Sequence, residues 1–348
     1  IHCFGYEDIQ TPSIEFFDVF SKEIGTTPSK ELYKFFDKEG NTLVLRPDFT
    51  PSIARCAAKY FMEEKVPLRF SYNGNTFTNT SNLQGKLKEV TQMGAEFIGD
   101  PSVEADAEVI SMVIEALKST GLTRFQVTIG EVDYFRGLCE EAGLDEDTEK
   151  ELRSYISGKN FFAAQELLEQ KQIPEPYHSI LLKLADMFEN IESLEDAKSL
   201  VKNERSLQAI ARLEKLKKRL EQYGVAEYIT FDLGMLSKYQ YYTGVVFKAY
   251  TYGIGDAVVK GGRYDNLLRK FGKDTAAIGF VIVIDDLLEA LSRQKVVIDV
   301  PASGKILYYR AGDETDYLAK LAEAAKLRKE GIPTVLSPEI TENEEADQ

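Results

Sequence analysis

Two short segments carry polar side chains at spacings that suit recognition of a small nitrogenous ligand. In LRPDFTPSIAR, Asp48 and Thr50 lie in a predicted strand-to-helix connection, where an acid and a hydroxyl could contact an ammonium group. In QMGAE, Gln92 and Glu96 are four residues apart and share a face on either a helix or a strand. These two side chains could bind an amine or an imidazole, with surface exposure as the alternative.

A tyrosine-rich segment, YQYYTGVVFKAY, leads into a predicted strand. Tyr239, Tyr241 and Tyr242 could form a flat apolar wall with hydroxyl groups at its rim, which suits a small planar ring. Residue types alone leave structural alternatives open. The tyrosines could pack in a core or an interface, and Asp48 and Thr50 could stabilise their own turn.

The segment KGGRYDNLL combines a double glycine with two opposite charges. Gly261 and Gly262 allow close backbone approach, and Arg263 and Asp265 could form a local ion pair. A double glycine alone is weak evidence for phosphate binding. The chain contains no GxxxxGK[ST] motif and no GxGxxG after a strand, so neither common nucleotide-binding motif is supported.

The elements that position these residues alternate between short strands and helices in the first third of the chain. The pattern predicts helices over 11–24 and 51–61, and a further helix that begins at Asp100 and Pro101. Strands are predicted at 43–46, 68–73, 125–130, 228–233, 245–252, 257–260 and 277–284. Strands separated by glycine-bearing turns favour a largely antiparallel sheet flanked by helices.

Between these two groups of strands the periodicity is helical. Leu207, Ile210, Leu213, Leu216 and Leu220 form one apolar stripe, which is typical of a helix packed on a core. Gly224 follows, at the place where such a helix would be capped. Near the end of the chain, a strand, a helix and a second strand predict one βαβ unit, followed by an acidic tail.

Composition limits the classes of function. The 348 residues carry 57 acidic and 42 basic side chains, a net charge of −15, which argues against tRNA or DNA as a main partner. Only His2 and His178 are histidines, so we expect no metal site and no histidine-based triad. The three cysteines are far apart in sequence and form no disulfide framework, which is typical of a reduced compartment. Since the sequence also shows neither a secretory leader nor an apolar run long enough to span a membrane, we expect a cytoplasmic protein. The abrupt start suggests that residues precede Ile1.

The order of the motifs is more specific than any one of them. LRPDFTPSIAR, YNGNTF, QGK, QMGAEFIG, YYTGVVF, GGRYD and AIGF resemble, in this order, the catalytic domain of class II histidyl-tRNA synthetases over roughly residues 4–300. The resemblance implies an α+β fold with an antiparallel sheet flanked by helices. We expect a synthetase-like domain at 1–130 and 225–300, a helical insertion at 131–224, and a truncated α/β C-terminal domain at 303–348.

The resemblance also implies a histidine-binding pocket. Asp48 and Thr50 match positions that bind the amino group of histidine, with Asp replacing the family's Glu. Gln92 and Glu96 match residues that contact the substrate, the acid near the imidazole. Tyr241 and Tyr242 match a pair of tyrosines beside the imidazole ring, and Tyr264 matches one further pocket tyrosine. The implied histidine-binding set is therefore Asp48, Thr50, Gln92, Glu96, Tyr241, Tyr242 and Tyr264.

The chain departs from the synthetases at positions that bind ATP. Thr78 and Thr80 replace the motif 2 arginine and its nearby acid, Ser237 replaces a branch-specific catalytic arginine, and Asp285 and Asp286 replace the Glu-Arg pair of motif 3. Adenylation gathers negative charge in the transition state and needs cations fixed there in advance. Losing one such group costs about 10²–10³ in rate, so losing three predicts a protein without adenylation activity.

A histidyl-tRNA synthetase-like chain without these arginines resembles the regulatory subunits of short-form ATP phosphoribosyltransferase, the first enzyme of histidine biosynthesis. The resemblance implies a non-catalytic self-dimer without a cofactor, which joins a short catalytic subunit in a hetero-octamer and takes part in feedback inhibition by L-histidine. No tRNA and no membrane is expected as a partner. The alternatives are an active histidyl-tRNA synthetase, a synthetase-like tRNA- or histidine-sensing module, and a paralogue with another substrate.

Overall fold

The computed structural model describes residues 1–20, 27–65, 67–80, 87–185, 193–236, 241–298 and 304–339. The chain divides into two compact units, Ile1–Val296 and Val297–Gln348. The strands of the first unit are β1 (Glu7–Asp8), β2 (Ile14–Phe16), β3 (Lys34–Phe36), β4 (Thr42–Leu45), β5 (Leu68–Phe77), β6 (Glu89–Ile98), β7 (Phe125–Glu131), β8 (Ile229–Phe231), β9 (Val245–Thr251), β10 (Val259–Arg263) and β11 (Ala277–Val283).

The helices of the first unit are α1 (Thr50–Tyr60), α2 (Val103–Ser119), α3 (Val132–Glu141), α4 (Glu146–Ser157), α5 (Phe161–Gln170), α6 (Tyr177–Ala185), α7 (Leu194–Ser199), α8 (Glu204–Gln222) and α9 (Ile284–Arg293). The second unit contains β12 (Lys305–Tyr309), α10 (Glu314–Lys329) and β13 (Thr334–Pro338). Among the described residues, no helix has both the length and the apolar character needed to cross a lipid bilayer.

The main sheet has eight strands in the order β1-β5-β6-β11-β10-β9-β7-β8. Only the two edge pairs, β1 with β5 and β7 with β8, are parallel, so the prediction of a largely antiparallel sheet in an α+β fold is confirmed. The register places Glu96 of β6 opposite Gly279 of β11, and Gly279 opposite Gly262 of β10. Directly paired residues share a face, so all three look onto the same side of the sheet.

Two sequence predictions about element boundaries are wrong. Pro101 does not occupy the first turn of α2, because Ser102 is the N-cap and its side chain accepts the N–H of Ala105. The strand predicted at 257–260 instead spans Val259–Arg263 and so includes the double glycine. Gly261 and Gly262 lie inside β10, where their lack of side chains admits neighbouring rings.

The predicted helix over 11–24 is also wrong in its first part. Ile14–Phe16 is a strand that pairs with β4, and β3 completes a three-stranded sheet in the order β2-β4-β3. Proline near a segment start is compatible with a helix but does not require one, and strand pairing overrides local preference. A single 3₁₀ turn follows at Phe17–Phe20, and residues 21–26 lie outside the described part.

The helical block α3–α8 belongs to the first unit. On α8, the predicted apolar stripe is buried at Ile210, Leu213, Leu216 and Leu220, and the helix packs against α2 and α3. Gly224 follows α8 with φ +71°, so it ends the helix as the sequence indicated. The division of this unit into a synthetase-like domain and an insertion stays a prediction. In the second unit, β12 and β13 pair in parallel beside α10, which is the predicted βαβ arrangement.

Candidate functional site

A cavity of about 160 Å³ lies on one face of the main sheet, where β6, β11 and β10 run side by side. All seven residues predicted to bind histidine line this cavity: Asp48, Thr50, Gln92, Glu96, Tyr241, Tyr242 and Tyr264. Gln92 and Glu96 share the cavity face because β6 is a strand, and even separations on a strand keep one face. The structure therefore brings together residues spread over more than two hundred positions of sequence.

The first turn of α1 carries the acid and the hydroxyl to the sheet. Asp48 precedes the helix, and its Oδ1 accepts the backbone N–H of Thr50 over 3.0 Å. Phe49 anchors this turn by stacking on Tyr72 of β5, with ring centroids 4.3 Å apart. Burial raises the pKa of the Asp48 carboxyl, and hydrogen bonds from Thr50 partly oppose that rise.

Glu96 lines the cavity and is only 1% exposed. Its Oε1 accepts the hydroxyl of Thr50 over 2.7 Å, and its Oε2 accepts the hydroxyl of Tyr264. Burial raises the pKa of Glu96 to about 8, although both hydroxyl donors act to lower it. The carboxyl therefore changes charge close to neutral pH, and a cationic or hydrogen-bonding ring nitrogen could contact it in either state.

Two glycines on the neighbouring strands make room for these side chains. A Cβ at Gly279 would overlap the carboxylate of Glu96, and a Cβ at Gly262 would lie 2.7 Å from the ring of Tyr242. Real Cβ atoms essentially never come so close to other heavy atoms. The cavity therefore depends on glycine at both positions, which gives the double glycine of KGGRYD a role in shaping the cavity.

The tyrosines form an aromatic wall. The rings of Tyr241 and Tyr242 are 4.5 Å apart at an interplanar angle of 36°, and Tyr264 meets Tyr241 edge-on at 6.2 Å. Tyr264 is 2% exposed, whereas the other two are partly exposed. This arrangement presents a flat apolar surface beside the Glu96 carboxyl, as a small planar ring would need. Tyr239 lies outside the described residues.

Sequence reasoning missed several side chains that line the cavity, among them Tyr72 and Lys260. The hydroxyl of Tyr72 on β5 donates to the carbonyl of Phe280 over 3.4 Å. Lys260 of β10 lies two strands across the sheet from Glu96. Its position two residues before Gly262 on a strand could have indicated that it shares the cavity face.

The arginine of GGRYD does not line the cavity. Arg263 forms the expected ion pair with Asp265 at 3.2 Å, but its closer partner is Asp106 of α2, at 2.5 Å. Asp106 is fully buried and also pairs with Arg212 of α8. Arg263 therefore joins β10 to α2 and is a structural residue of this fold.

Comparison with known proteins places these features in a family. A family model described as histidyl-tRNA synthetase matches residues 1–287. The chain is 41% identical over 329 residues to an ATP phosphoribosyltransferase regulatory subunit of Acetivibrio thermocellus, covering 94% of this chain and 78% of that protein. It is 39% identical to the subunit of the same name from Clostridium acetobutylicum, covering 82% of this chain and 71% of that protein. The chain belongs to the ATP phosphoribosyltransferase regulatory subunit family.

Solved structures agree with this family assignment. A crystal structure from Bacillus halodurans, described as an ATP phosphoribosyltransferase regulatory subunit/histidyl-tRNA synthetase, has a TM-score of 0.84 and 33% identity, covering 99% of this chain and 87% of that one. The histidyl-tRNA synthetase from Nostoc sp. PCC 7120 has a TM-score of 0.79 at 19% identity, covering 99% and 81%, and supports the fold alone. The resemblance inferred from the motif order is confirmed.

The described positions that the resemblance matches to ATP-binding residues of the synthetases carry no lysine or arginine in this chain. Thr78 follows β5, and its N–H donates to the carbonyl of Lys88 over 2.9 Å. Asp286 lies in the first turn of α9, and its neighbour Asp285 accepts the N–H of Thr91 over 2.7 Å. Ser237 lies outside the described residues. Arginine is absent from the described residues that line the cavity.

Proposed function

We propose that this chain is a non-catalytic regulatory subunit of ATP phosphoribosyltransferase that binds L-histidine in the cavity on the main sheet. The 41% identity to a regulatory subunit over 94% of the chain carries the family-level part of this proposal. The histidine-binding part is supported by the seven predicted residues, all of which line a single cavity.

The charges at the cavity suit an amino acid better than a nucleotide. Asp48 and Glu96 supply acids for an amino group and an imidazole, and the tyrosine wall supplies an apolar face for the ring. A triphosphate needs several cations placed in advance, and bidentate arginines are the usual means. Arg46, the cation nearest to the Asp48 turn in sequence, instead donates to the backbone carbonyls of Asn75 and Thr11. The cavity therefore favours recognition without activation.

The proposed partner is the short catalytic subunit, which joins ATP and phosphoribosyl pyrophosphate in the first step of histidine biosynthesis. In this proposal, both subunits form a hetero-octamer, and the catalytic subunit has full activity only in that assembly. Histidine would inhibit by a population shift. It would bind one arrangement of the regulatory dimer more tightly, and in that arrangement the bound catalytic subunit would be less active. Coupling of this kind amounts to about 1–3 kcal/mol, or a 5- to 150-fold change in affinity.

A second sheet supports the proposal that the chain pairs with itself. Ile14 and Phe16 of β2 are 49% and 55% exposed, and they share a sheet face with Leu45 and Leu43 of β4. The central Val44 is fully buried on the opposite face, so the two faces of this sheet differ. An apolar sheet face that is left partly open is typical of a contact between subunits.

Co-expression with a candidate short catalytic subunit tests the regulatory role. We expect the two chains to purify together, to make phosphoribosyl-ATP that neither makes alone, and to lose that activity when histidine is added. Histidine-dependent exchange of pyrophosphate into ATP by the isolated chain would contradict the proposal and would establish an active synthetase. Independent purification of the two chains, with no change in the partner's activity, would also contradict it.

Calorimetry tests the cavity itself. We expect the isolated chain to bind histidine, and Glu96→Ala to abolish that binding because the buried acid contacts the ring. Glu89→Gln is the matched control, since Glu89 lies on the same strand but is exposed and bonded to Asn75. Equal binding by the wild type and Glu96→Ala, or binding by neither, would mean that the regulatory site lies elsewhere.

A further inference from the structure

Lys260 occupies a distinctive place in the cavity. Among the described residues that line the cavity, it is the one lysine or arginine. It lies on β10 opposite Val281 of β11, two residues before Gly262. Glu96 lies two strands away and two residues along, so the two Cα atoms are about 12 Å apart, given strand spacings of about 4.8 Å and rises of about 3.4 Å. Both side chains project from the same sheet face.

The cavity lining therefore differs in charge across the sheet. Its two acids are Glu96 and Asp48, whereas Lys260 lines it from β10, two strands away from Glu96. An amino acid with a basic side chain has the complementary order, with nitrogen groups at one end and a carboxylate at the other. Building on the proposed histidine site, we propose that Lys260 binds the α-carboxylate of the ligand and is the residue that selects an amino acid over its decarboxylated or reduced analogues.

The present partners of Lys260 leave it available for such exchange. Its Nζ lies 2.7 Å from Oδ2 of Asp256, and the two side chains are 37% and 64% exposed. An exposed ion pair of this kind contributes at most about 1 kcal/mol, so a ligand carboxylate can replace Asp256 at little cost. Asp286 is a second neighbour: burial raises the pKa of its carboxyl, and the positive charge of Lys260 opposes that rise.

The same neighbours disfavour a nucleotide. One lysine is a compact point charge and lacks the planar fork with which arginine binds phosphate groups. Asp256 and Asp286 place two negative charges around it, and these would repel a triphosphate more strongly than a single carboxylate. Lys260 can therefore bind one carboxylate without restoring the ATP site of the synthetases.

Paired calorimetry with L-histidine and L-histidinol tests the role of Lys260. Histidinol keeps the imidazole and the amino group but has an alcohol in place of the carboxylate. We expect the wild type to bind histidine at least about tenfold more tightly, since a charge-assisted hydrogen bond contributes about 1.5–3 kcal/mol. In Lys260→Met, we expect histidine affinity to fall to that of histidinol while histidinol affinity stays the same. Histidinol binding then also reports that the variant is folded.

Two further variants sharpen the test. Lys248→Met is the matched control, because Lys248 of β9 lies directly opposite Lys260 on the same sheet face but does not line the cavity. It should keep the preference for histidine. Asp256→Asn removes the competing carboxylate and should tighten histidine binding severalfold without affecting histidinol.

The possible failures are distinguishable. If Lys260→Met still prefers histidine over histidinol as strongly as the wild type, the role of Lys260 is overturned, while histidine binding itself stands. If Lys248→Met loses the preference as fully as Lys260→Met, the effect is one of general charge, and the specific contact is likewise overturned. If the wild type binds neither ligand, both the role of Lys260 and the histidine site are overturned.

Discussion

The hydroxyl of Thr50 donates to Oε1 of Glu96 over 2.7 Å and so joins the first turn of α1 to β6 across 46 residues of sequence. The donor holds the acid in place beside the cavity. We expect Thr50→Val to weaken histidine binding by about tenfold, because a buried acceptor that loses its donor costs about 1–3 kcal/mol. Calorimetry on the isolated chain measures this loss.

Thr50→Ser is the control for that substitution. Serine keeps the hydroxyl and removes only a methyl group, so histidine affinity should stay within about threefold of the wild type. Wild-type affinity in Thr50→Val, which keeps the methyl group and loses the hydroxyl, would show that histidine binding does not need the hydrogen bond to Glu96.

Gly279 offers a test that does not alter any polar group. Its Cα lies opposite Glu96 in the register, and a Cβ there would overlap the Glu96 carboxylate. We expect Gly279→Ala to lower the free energy of unfolding by about 1–3 kcal/mol, the usual cost of forcing atoms into a packed site, and to abolish histidine binding. Chemical denaturation and calorimetry measure the two effects.

Gly255→Ala is the matched glycine control. Nothing lies within 4 Å of a Cβ at Gly255, and this glycine is not among those with positive φ. The variant should therefore keep the wild-type stability and affinity. Histidine binding by Gly279→Ala at wild-type strength would mean that the Glu96 carboxylate can move aside without loss.

The site could be predicted from sequence to a large extent, because most of its residues fall in short motifs whose order is specific. Strand geometry then places Gln92 and Glu96 on one face without further information. The role of the glycines could not be read in the same way. Gly262 lay just beyond the strand predicted at 257–260, and only the strand register reveals that its missing side chain admits the ring of Tyr242.

Long-range partners were the main features that the sequence did not reveal. Arg263 and Asp265 are neighbours in sequence and suggested a local pair, yet Asp106, 157 residues away, is the closer partner of the arginine. The strand at Ile14–Phe16 was missed for a similar reason. Its hydrogen bonds go to β4, so the segment's own residue preferences did not determine its structure.

The partly open face of the second sheet leads to a prediction about self-association. We expect Phe16→Glu to weaken the proposed self-dimer by at least about 30-fold, since a charge placed in an apolar contact typically costs 2 kcal/mol or more. Sedimentation velocity over a range of concentrations measures the change. The control is Phe162→Glu on α5, because this phenylalanine is 81% exposed. The Phe162→Glu variant should self-associate as strongly as the wild type. A dimer of unchanged stability in Phe16→Glu would place the contact on another surface.

Glu131 gives rise to a prediction about pH and stability. This residue caps α3, is 2% exposed and has an Oε2 atom with no hydrogen-bond partner among the described residues. Burial, followed by the charge of Asp133, raises its pKa to about 8. Between the ordinary glutamate pKa near 4.5 and about 8, the folded state binds a proton that the unfolded state has lost. This contribution therefore stabilises the fold at low pH and is lost as pH rises through that window.

Replacing Glu131 with glutamine should remove this dependence, because the amide stays neutral in both states. We expect the stability of the wild type relative to Glu131→Gln to fall as pH rises from 5 to 8, by at most about 1.4 kcal/mol per pH unit. Urea denaturation at pH 5, 6.5 and 8 measures this difference. The exposed Glu221→Gln on α8 makes the same chemical change at the surface and should track the wild type. If the difference between wild type and Glu131→Gln does not change with pH, or grows in favour of the wild type, then the carboxyl is already charged in the folded protein.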